Sequence, residues 1–130
     1  ITVLGDGRIE VIHASEAYAP YTGTGTVINV YDRCGTEETT DDVLVETFQL
    51  VIFGDVNGDS AANATDSSII SDEAIGLTSW SSKRSPEYSA CTKMAADVDY
   101  NTRVYETDAT LVENYALGID RIDQIKGIAY

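Results

Sequence analysis

Sliding the chain over itself by 42 positions lays DVNGDSAANATDSSIISDEAIGL (55–77) on DVDYNTRVYETDATLVENYALGI (97–119). Identity holds at Asp55/Asp97, Val56/Val98, Thr65/Thr107, Asp66/Asp108, Ala74/Ala116 and Gly76/Gly118. Apolar character is kept at Ile69/Leu111, Ile70/Val112, Ile75/Leu117 and Leu77/Ile119. A segment present twice is expected to fold twice in the same way. Each reads as an acidic loop, then a helix of about three turns with apolar residues three and four apart, then a glycine suited to ending it. The last aspartate of each loop, Asp66 or Asp108, falls at the helix start, where the helix dipole favours a negative charge.

The carboxylate spacing within each loop is that of a calcium site. Calcium takes roughly six to eight hard oxygen ligands, and a twelve-residue loop supplies them from its odd positions and its last residue. In the first copy these are Asp55, Asn57, Asp59, the Ala61 carbonyl, Asn63 and Asp66. In the second they are Asp97, Asp99, Asn101, the Arg103 carbonyl and Asp108. Tyr105 holds the ninth position of the second loop, where a water or a backbone carbonyl is expected instead, so this loop is expected to hold metal less ideally. Ser60 stands at the sixth position of the first loop, where glycine is usual, and Asp66 replaces the closing glutamate. Asp, Asn and Gly also gather in plain surface turns. Two loops in register, each followed by a matching helix, favour metal over that reading, with two calcium ions expected. Without metal, Asp55, Asp59 and Asp66 repel one another, so folding of this half is expected to depend on calcium.

A helix precedes the loop in an ordinary calcium hand, whereas here VLVETFQLVIF, β-branched and aromatic, leads into it. Residues 1–53 alternate apolar and polar residues between turn signals, the pattern of half-buried strands. ITVL and RIEVIH flank the Asp6-Gly7 turn; GTVINVYD and VLVETFQLVIF flank a polar segment, Arg33 to Asp42. Four strands in two hairpins are expected, packing on the downstream half of the chain or ending a larger β-domain. The fold class is therefore α+β: a small antiparallel β-module over 1–53, then an all-α unit over 54–130 with two loop-helix repeats. A loop and a short linker helix join the repeats, with Ser85 as N-cap and Pro86 at the first helical position. The tail, DRIDQIKGIAY, carries spaced isoleucines that with Tyr130 can clasp the region around Phe53; a frayed terminus is the plainer alternative.

The chain has 22 acidic and 8 basic residues, a net charge of −14, which argues against a nucleic-acid partner. No apolar run is long enough to span a bilayer, and no basic-then-apolar leader opens the sequence, which begins in mid-strand like a segment of something longer. Cys34 and Cys91 allow one disulfide without showing it. His13, the single histidine, lacks the Cys-His neighbours of a zinc site and reads as a surface or sheet residue rather than a catalytic or zinc-binding one. Trp80 reads as an anchor for the inter-repeat loop rather than a sugar platform. Lys83 and Arg84 form a basic island, read as a solvated loop or a contact to an acidic partner.

Two copies of Asp-x-(Asn/Asp)-x-(Asp/Asn) closed by Asp at the twelfth position, each followed by one helix and lacking the helix before it, resemble a dockerin. GDVNGD and NATD of the first copy are especially similar to that family. The resemblance covers 54 to about 124 and implies two F-hand halves, each a loop and an exiting helix. It implies a calcium-dependent adaptor that binds a cohesin module of a scaffold or cell-surface protein. Such an adaptor anchors its parent in an extracellular cellulosome-type complex of an anaerobic bacterium. By position, the resemblance places cohesin contacts at Ala64, Thr65, Ser71 and Asp72, and at Glu106, Thr107, Glu113 and Asn114. The two sets differ in charge and shape, so one binding orientation is expected. The long inter-repeat segment is similar to that of ruminococcal dockerins, and residues 1–53 resemble an X-module or the last strands of an immunoglobulin-like domain.

Other functions fit less well. A calcium sensor pairs two full helix-loop-helix units around a Met-rich groove, and this chain has one methionine, Met94. A glycosidase would set its acids in a cleft of a larger body rather than at ligand spacing in two short loops. The expectation is a non-enzymatic segment with no small-molecule substrate and no membrane insertion. The remaining alternative is a calcium-binding accessory domain of a secreted polysaccharide-degrading enzyme, without a cohesin partner.

Overall fold

The computed structural model describes residues 6–14, 21–77, 86–125 and 128–129. Strands β1 (Gly7–Ile12), β2 (Val27–Asp32) and β3 (Val43–Gln49) form one antiparallel sheet in the order β1-β2-β3. Helices α1 (Ala64–Ala74), α2 (Pro86–Ala96) and α3 (Glu106–Ala116) come next, and β4 (Ile122–Asp123) pairs with β5 (Ile128–Ala129). This is the expected α+β architecture, with Pro86 opening the linker helix. Ser85, Trp80, Lys83, Arg84 and Tyr130 lie outside the described residues.

Of the two expected hairpins, that of GTVINVYD with VLVETFQLVIF is present as β2 on β3. β1 pairs with β2 in the register Arg8↔Tyr31, Glu10↔Asn29, Ile12↔Val27, making β1-β2-β3 one meander. Its expected partner, ITVL, lies outside the described residues. Alternation fixes which face a side chain takes, not which strand lies beside it. β3 also ends at Gln49 rather than running on to Phe53. Leu50 still bonds to the neighbouring segment, donating to the Thr26 carbonyl and accepting from the Gly25 N–H, each at 2.9 Å. Ile52 is then taken by the Thr24 hydroxyl, which accepts from its N–H at 3.0 Å and donates to its carbonyl at 3.2 Å.

One face of the sheet is a polar ladder. Glu10 accepts from the Asn29 amide and the Tyr31 hydroxyl at 3.0 Å each, and Thr47 donates to Asn29 at 2.9 Å. Arg8 stacks over the Tyr31 ring, 4.2 Å from its centre, and pairs with Asp42. His13 follows the end of β1, and its Nδ1 meets the Tyr21 carbonyl at 2.7 Å. Cys34 is exposed and Cys91 buried, both as free thiols, and Cys91 donates to the Gln49 side chain at 3.4 Å.

The helical core is built from repeat-related pairs. Val56 and Val98, and Ile70 and Val112, are fully buried together with Ala95 and Ala96 of α2. α1 and α3 run antiparallel: Ser67 donates to the Ala109 carbonyl, and Ser71, further along α1, to Glu106, further back on α3, all at 2.8 Å. Both helices end in a Schellman motif. Gly76 donates to Glu73 at 3.0 Å and Leu77 to Asp72 at 2.8 Å; Gly118 donates to Tyr115 at 3.0 Å and Ile119 to Asn114 at 2.9 Å. The two glycines have φ of 75° and 73°, the left-handed turn that this motif requires.

The tail clasps the start of the helical unit. The Gln124 side chain accepts from the Phe53 N–H at 2.8 Å and donates to its carbonyl at 2.9 Å, and Ile122 joins the core. The sequence points to a clasp by tail isoleucines; the amide that carries the hydrogen bonds has no such signal.

Candidate calcium loops and the helix-pair face

In the first loop, each end carboxylate serves as a local hub. Asp55 Oδ1 accepts from the Gly58 N–H at 2.7 Å, and Oδ2 from the Ser60 N–H at 3.1 Å. Asp66 Oδ1 accepts from the N–H groups of Val56 and Asn57 at 2.9 and 3.2 Å, while its Oδ2 accepts from the Asn63 N–H at 3.0 Å. Asn63 completes the helix start by accepting from Thr65 at 2.8 Å. Asn57 and Asp59 hold the intervening turn, the Asp59 N–H donating to Asn57 Oδ1 at 2.9 Å and the Ala61 N–H to Asp59 Oδ1 at 3.0 Å.

The second loop repeats this pattern at both ends. Asp97 accepts from Asn101 and Thr102 at 3.0 and 2.8 Å, and Asp108 from Val98, Asp99 and Tyr105 at 3.1, 3.4 and 2.9 Å. Arg103 donates to Asn101 Oδ1 at 2.9 Å through its backbone, while its guanidinium reaches the Tyr105 hydroxyl at 2.8 Å. A carboxylate oxygen from each of Asp97, Asp99 and Asp108 lies within 4.8 Å of the other two. The backbone shape is shared as well. The fourth positions, Gly58 and Tyr100, have φ of 85° and 59°, and the sixth, Ser60 and Thr102, 71° and 73°. The sequence flags Ser60 as off-pattern; Thr102 carries the same strain with the added cost of a β-branch.

These carboxylates carry an electrostatic cost. Asp55, Asp66 and Asp108 are fully buried. Burial pushes Asp66 up to about 6 against the hydrogen bonds it accepts, and Asp55 beside it adds to the rise. Burial likewise raises Asp55 and Asp108, with neighbouring aspartates contributing. Among the described residues, no lysine or arginine forms an ion pair with Asp55, Asp66, Asp97 or Asp108. In the second loop Asp97, Asp99 and Asp108 converge closely enough to share one ion, and with amide and carbonyl oxygens they make a hard-oxygen donor set that fits calcium, whereas among the described residues the carboxylates of Asp55, Asp59 and Asp66 do not converge to the same degree.

The antiparallel pairing of α1 with α3 brings parts of both repeats onto one face. Ala64, Ser71 and Asp72 from the first repeat and Glu106 and Glu113 from the second line a shallow groove, with Ser67, Ser68, Ala109 and Thr110 at its floor and sides. Thr65 and Thr107 are exposed outside it, and Asn114 turns to the helix end, donating to Asp120 at 2.9 Å. Because the helices are antiparallel, the apolar residues beyond their C-termini stand at opposite ends of the helix pair. Ile75 and Leu77, and Leu117 and Ile119, are 63 to 70 % exposed although repeat-matched. The repeat marks these four as equivalent without indicating that they face outward.

A family model for the dockerin type I domain matches residues 53–117, half of the chain. The chain belongs to the dockerin type I family. Dockerins are non-catalytic interaction modules that bind cohesins and assemble calcium-dependent complexes of the extracellular cellulosome type. The match begins at Phe53, the residue held by Gln124, and ends at Leu117, the cap of α3. Neither a curated protein nor a solved structure is found to match the chain. Among the described residues of this dockerin, no helix is long and apolar enough to cross a membrane.

Proposed function

We propose that this dockerin binds two calcium ions and presents the α1–α3 groove to a cohesin, anchoring its parent protein in a secreted, polysaccharide-degrading complex of an anaerobic bacterium. Asp55, Asn57, Asp59, the Ala61 carbonyl, Asn63 and Asp66 serve the first ion. Asp97, Asp99, Asn101, the Arg103 carbonyl and Asp108 serve the second. Residues 54–130 form the dockerin, and residues 1–53 an accessory β-module of X-module type, in a ruminococcal-like arrangement. The observation that carries this reading is the antiparallel seating of α1 on α3, which gathers residues from both repeats into one groove.

Cohesin contact runs along Ala64, Thr65, Ser71 and Asp72 and along Glu106, Thr107, Glu113 and Asn114, with Ile75, Leu77, Leu117 and Ile119 adding apolar area at the two ends. The groove is not symmetric. Ser71 donates to Glu106 on one side, whereas the repeat-related positions are Glu113 and Ala64, which cannot form that bond. This asymmetry supports a single preferred orientation. The test alters equivalent positions on each helix, Ser71→Ala with Asp72→Ala on α1 and Glu113→Ala with Asn114→Ala on α3, and titrates both variants with a cohesin. Unequal losses are expected; equal losses would point to two interchangeable orientations.

A further inference from the structure

The sheet unit reaches into the first loop through Gly23 and Thr24. The backbone N–H of Thr24 donates to Asp55 Oδ2 at 3.0 Å, the same oxygen that accepts from Ser60 within the loop. Thr24 is fully buried there, as is Thr26. The contact is held from behind by the paired bonds of the Thr24 hydroxyl with Ile52 and by the Thr26 N–H on the Gly23 carbonyl at 3.1 Å. Gly23 lies flat on the loop backbone. A Cβ there would stand 2.1 Å from the Gly58 carbonyl oxygen and 2.7 Å from the Ser60 nitrogen, and its φ lies outside the left-handed region. Glycine is required at this point for closeness, not for conformation.

The second loop has no such buttress among the described residues. Asp97 accepts from Asn101 and Thr102, both of its own loop and both exposed.

We infer that Gly23 and Thr24 are positioning residues for the first calcium loop, so that the β-sheet unit and calcium at Asp55 are linked. The inference rests on reading residues 55–66 as a calcium loop. A ligating carboxylate keeps lone pairs for a second acceptor role, and a fixed N–H on it sets the direction in which the remaining lone pairs point. Thr24 supplies that N–H from a segment tied to β2 and β3, so the loop inherits the rigidity of the sheet. Linkage runs both ways: whatever the sheet contributes to calcium affinity, calcium returns to the sheet as stability.

The test is calorimetric titration of the full chain with calcium, with Asp97→Ala removing the second site. In that background Gly23→Ala is expected to weaken the remaining site roughly tenfold, the usual effect of disturbing an outer-shell partner. Arg8→Ala, which breaks the Arg8–Asp42 pair within the sheet, is expected to leave it unchanged. Equal affinity in the parent and Gly23→Ala, or equal loss from both substitutions, overturns the inference. Should Gly23→Ala not fold, amide hydrogen exchange of the unsubstituted chain decides. Calcium is expected to slow exchange at Thr24 and at Ile28 and Val30 of β2, and uptake of calcium without that slowing overturns the inference alone. No uptake of calcium at all overturns the calcium-loop reading, and the inference with it.

Discussion

Ser67 donates its hydroxyl to the carbonyl of Ala109 at 2.8 Å, and the two residues occupy the same position of the 42-residue repeat. A residue that meets its own counterpart lies on the axis relating the two halves, so this bond marks the centre of the helix pair. Only the first half has the hydroxyl; alanine in the second cannot return the bond. Ser67→Ala is expected to lower stability by about 1 kcal/mol, the net worth of one buried hydrogen bond. Denaturant unfolding in saturating calcium measures it, and an unchanged midpoint would show that the axis bond contributes nothing.

The sixth position of each loop holds a residue in the left-handed region without being glycine. Relief of that strain is worth roughly 1 kcal/mol or more. Thr102→Gly and Ser60→Gly are each expected to raise the midpoint of thermal unfolding in calcium, Thr102→Gly by more because a β-branched residue fits this conformation least. A fall in either midpoint would mean that the side chain has a role outweighing its strain.

The helix-ending glycines test the backbone in isolation. A Cβ added at Gly76 or Gly118 meets nothing within 4 Å, so Gly→Ala there changes conformational preference and little else. Each substitution is expected to cost about 1 kcal/mol, and nearly the same at both sites, since the two motifs share their bonds. A large difference, read by chemical denaturation, would show that the two halves are not equivalent at their ends.

The polar face of the sheet predicts an acid limit. The hydrogen bond from Asn29, and then that from Tyr31, hold the Glu10 carboxyl below its ordinary range. A folded pKa below the unfolded one adds stability above the unfolded value and loses it as pH falls through the folded one. Glu10→Gln is accordingly expected to be less stable than the parent at neutral pH, with the difference shrinking as pH falls below about 4.3. Unfolding midpoints across an acid series check this, and a constant difference would remove Glu10 ionisation from the account.

The repeat makes the helical half legible because it encodes local structure twice. Loop spacing, Asp66 and Asp108 in the first helical turns and the ending glycines each act within a few residues, and the two aspartates and two glycines take the places that their chemistry dictates. The sheet is less legible for a physical reason. Alternation in RIEVI and VLVETFQLVIF sorts side chains between two faces, but the pairing of β1 with β2 and the end of β3 are set by contacts distant in sequence. The Thr24 hydroxyl on Ile52 decides where β3 gives way to the loop, 28 residues away. The Gln124 clasp on Phe53 spans 71 residues and uses a side chain with no local signature. Of the groove, the polar positions come from the resemblance. The outward placement of Ile75, Leu77, Leu117 and Ile119 does not, because apolar residues at helical spacing ordinarily point to a core.

Asp66 and Asp108 stand at the last position of each loop and at the third residue of the helix that follows, so loop and helix share one residue in each repeat. Titration of the full chain against a panel of cohesins, once in calcium and once in chelator, tests that junction most directly. Binding to at least one cohesin in calcium, lost in chelator, is the predicted result. Equal binding in both, or none to any cohesin, would contradict the account.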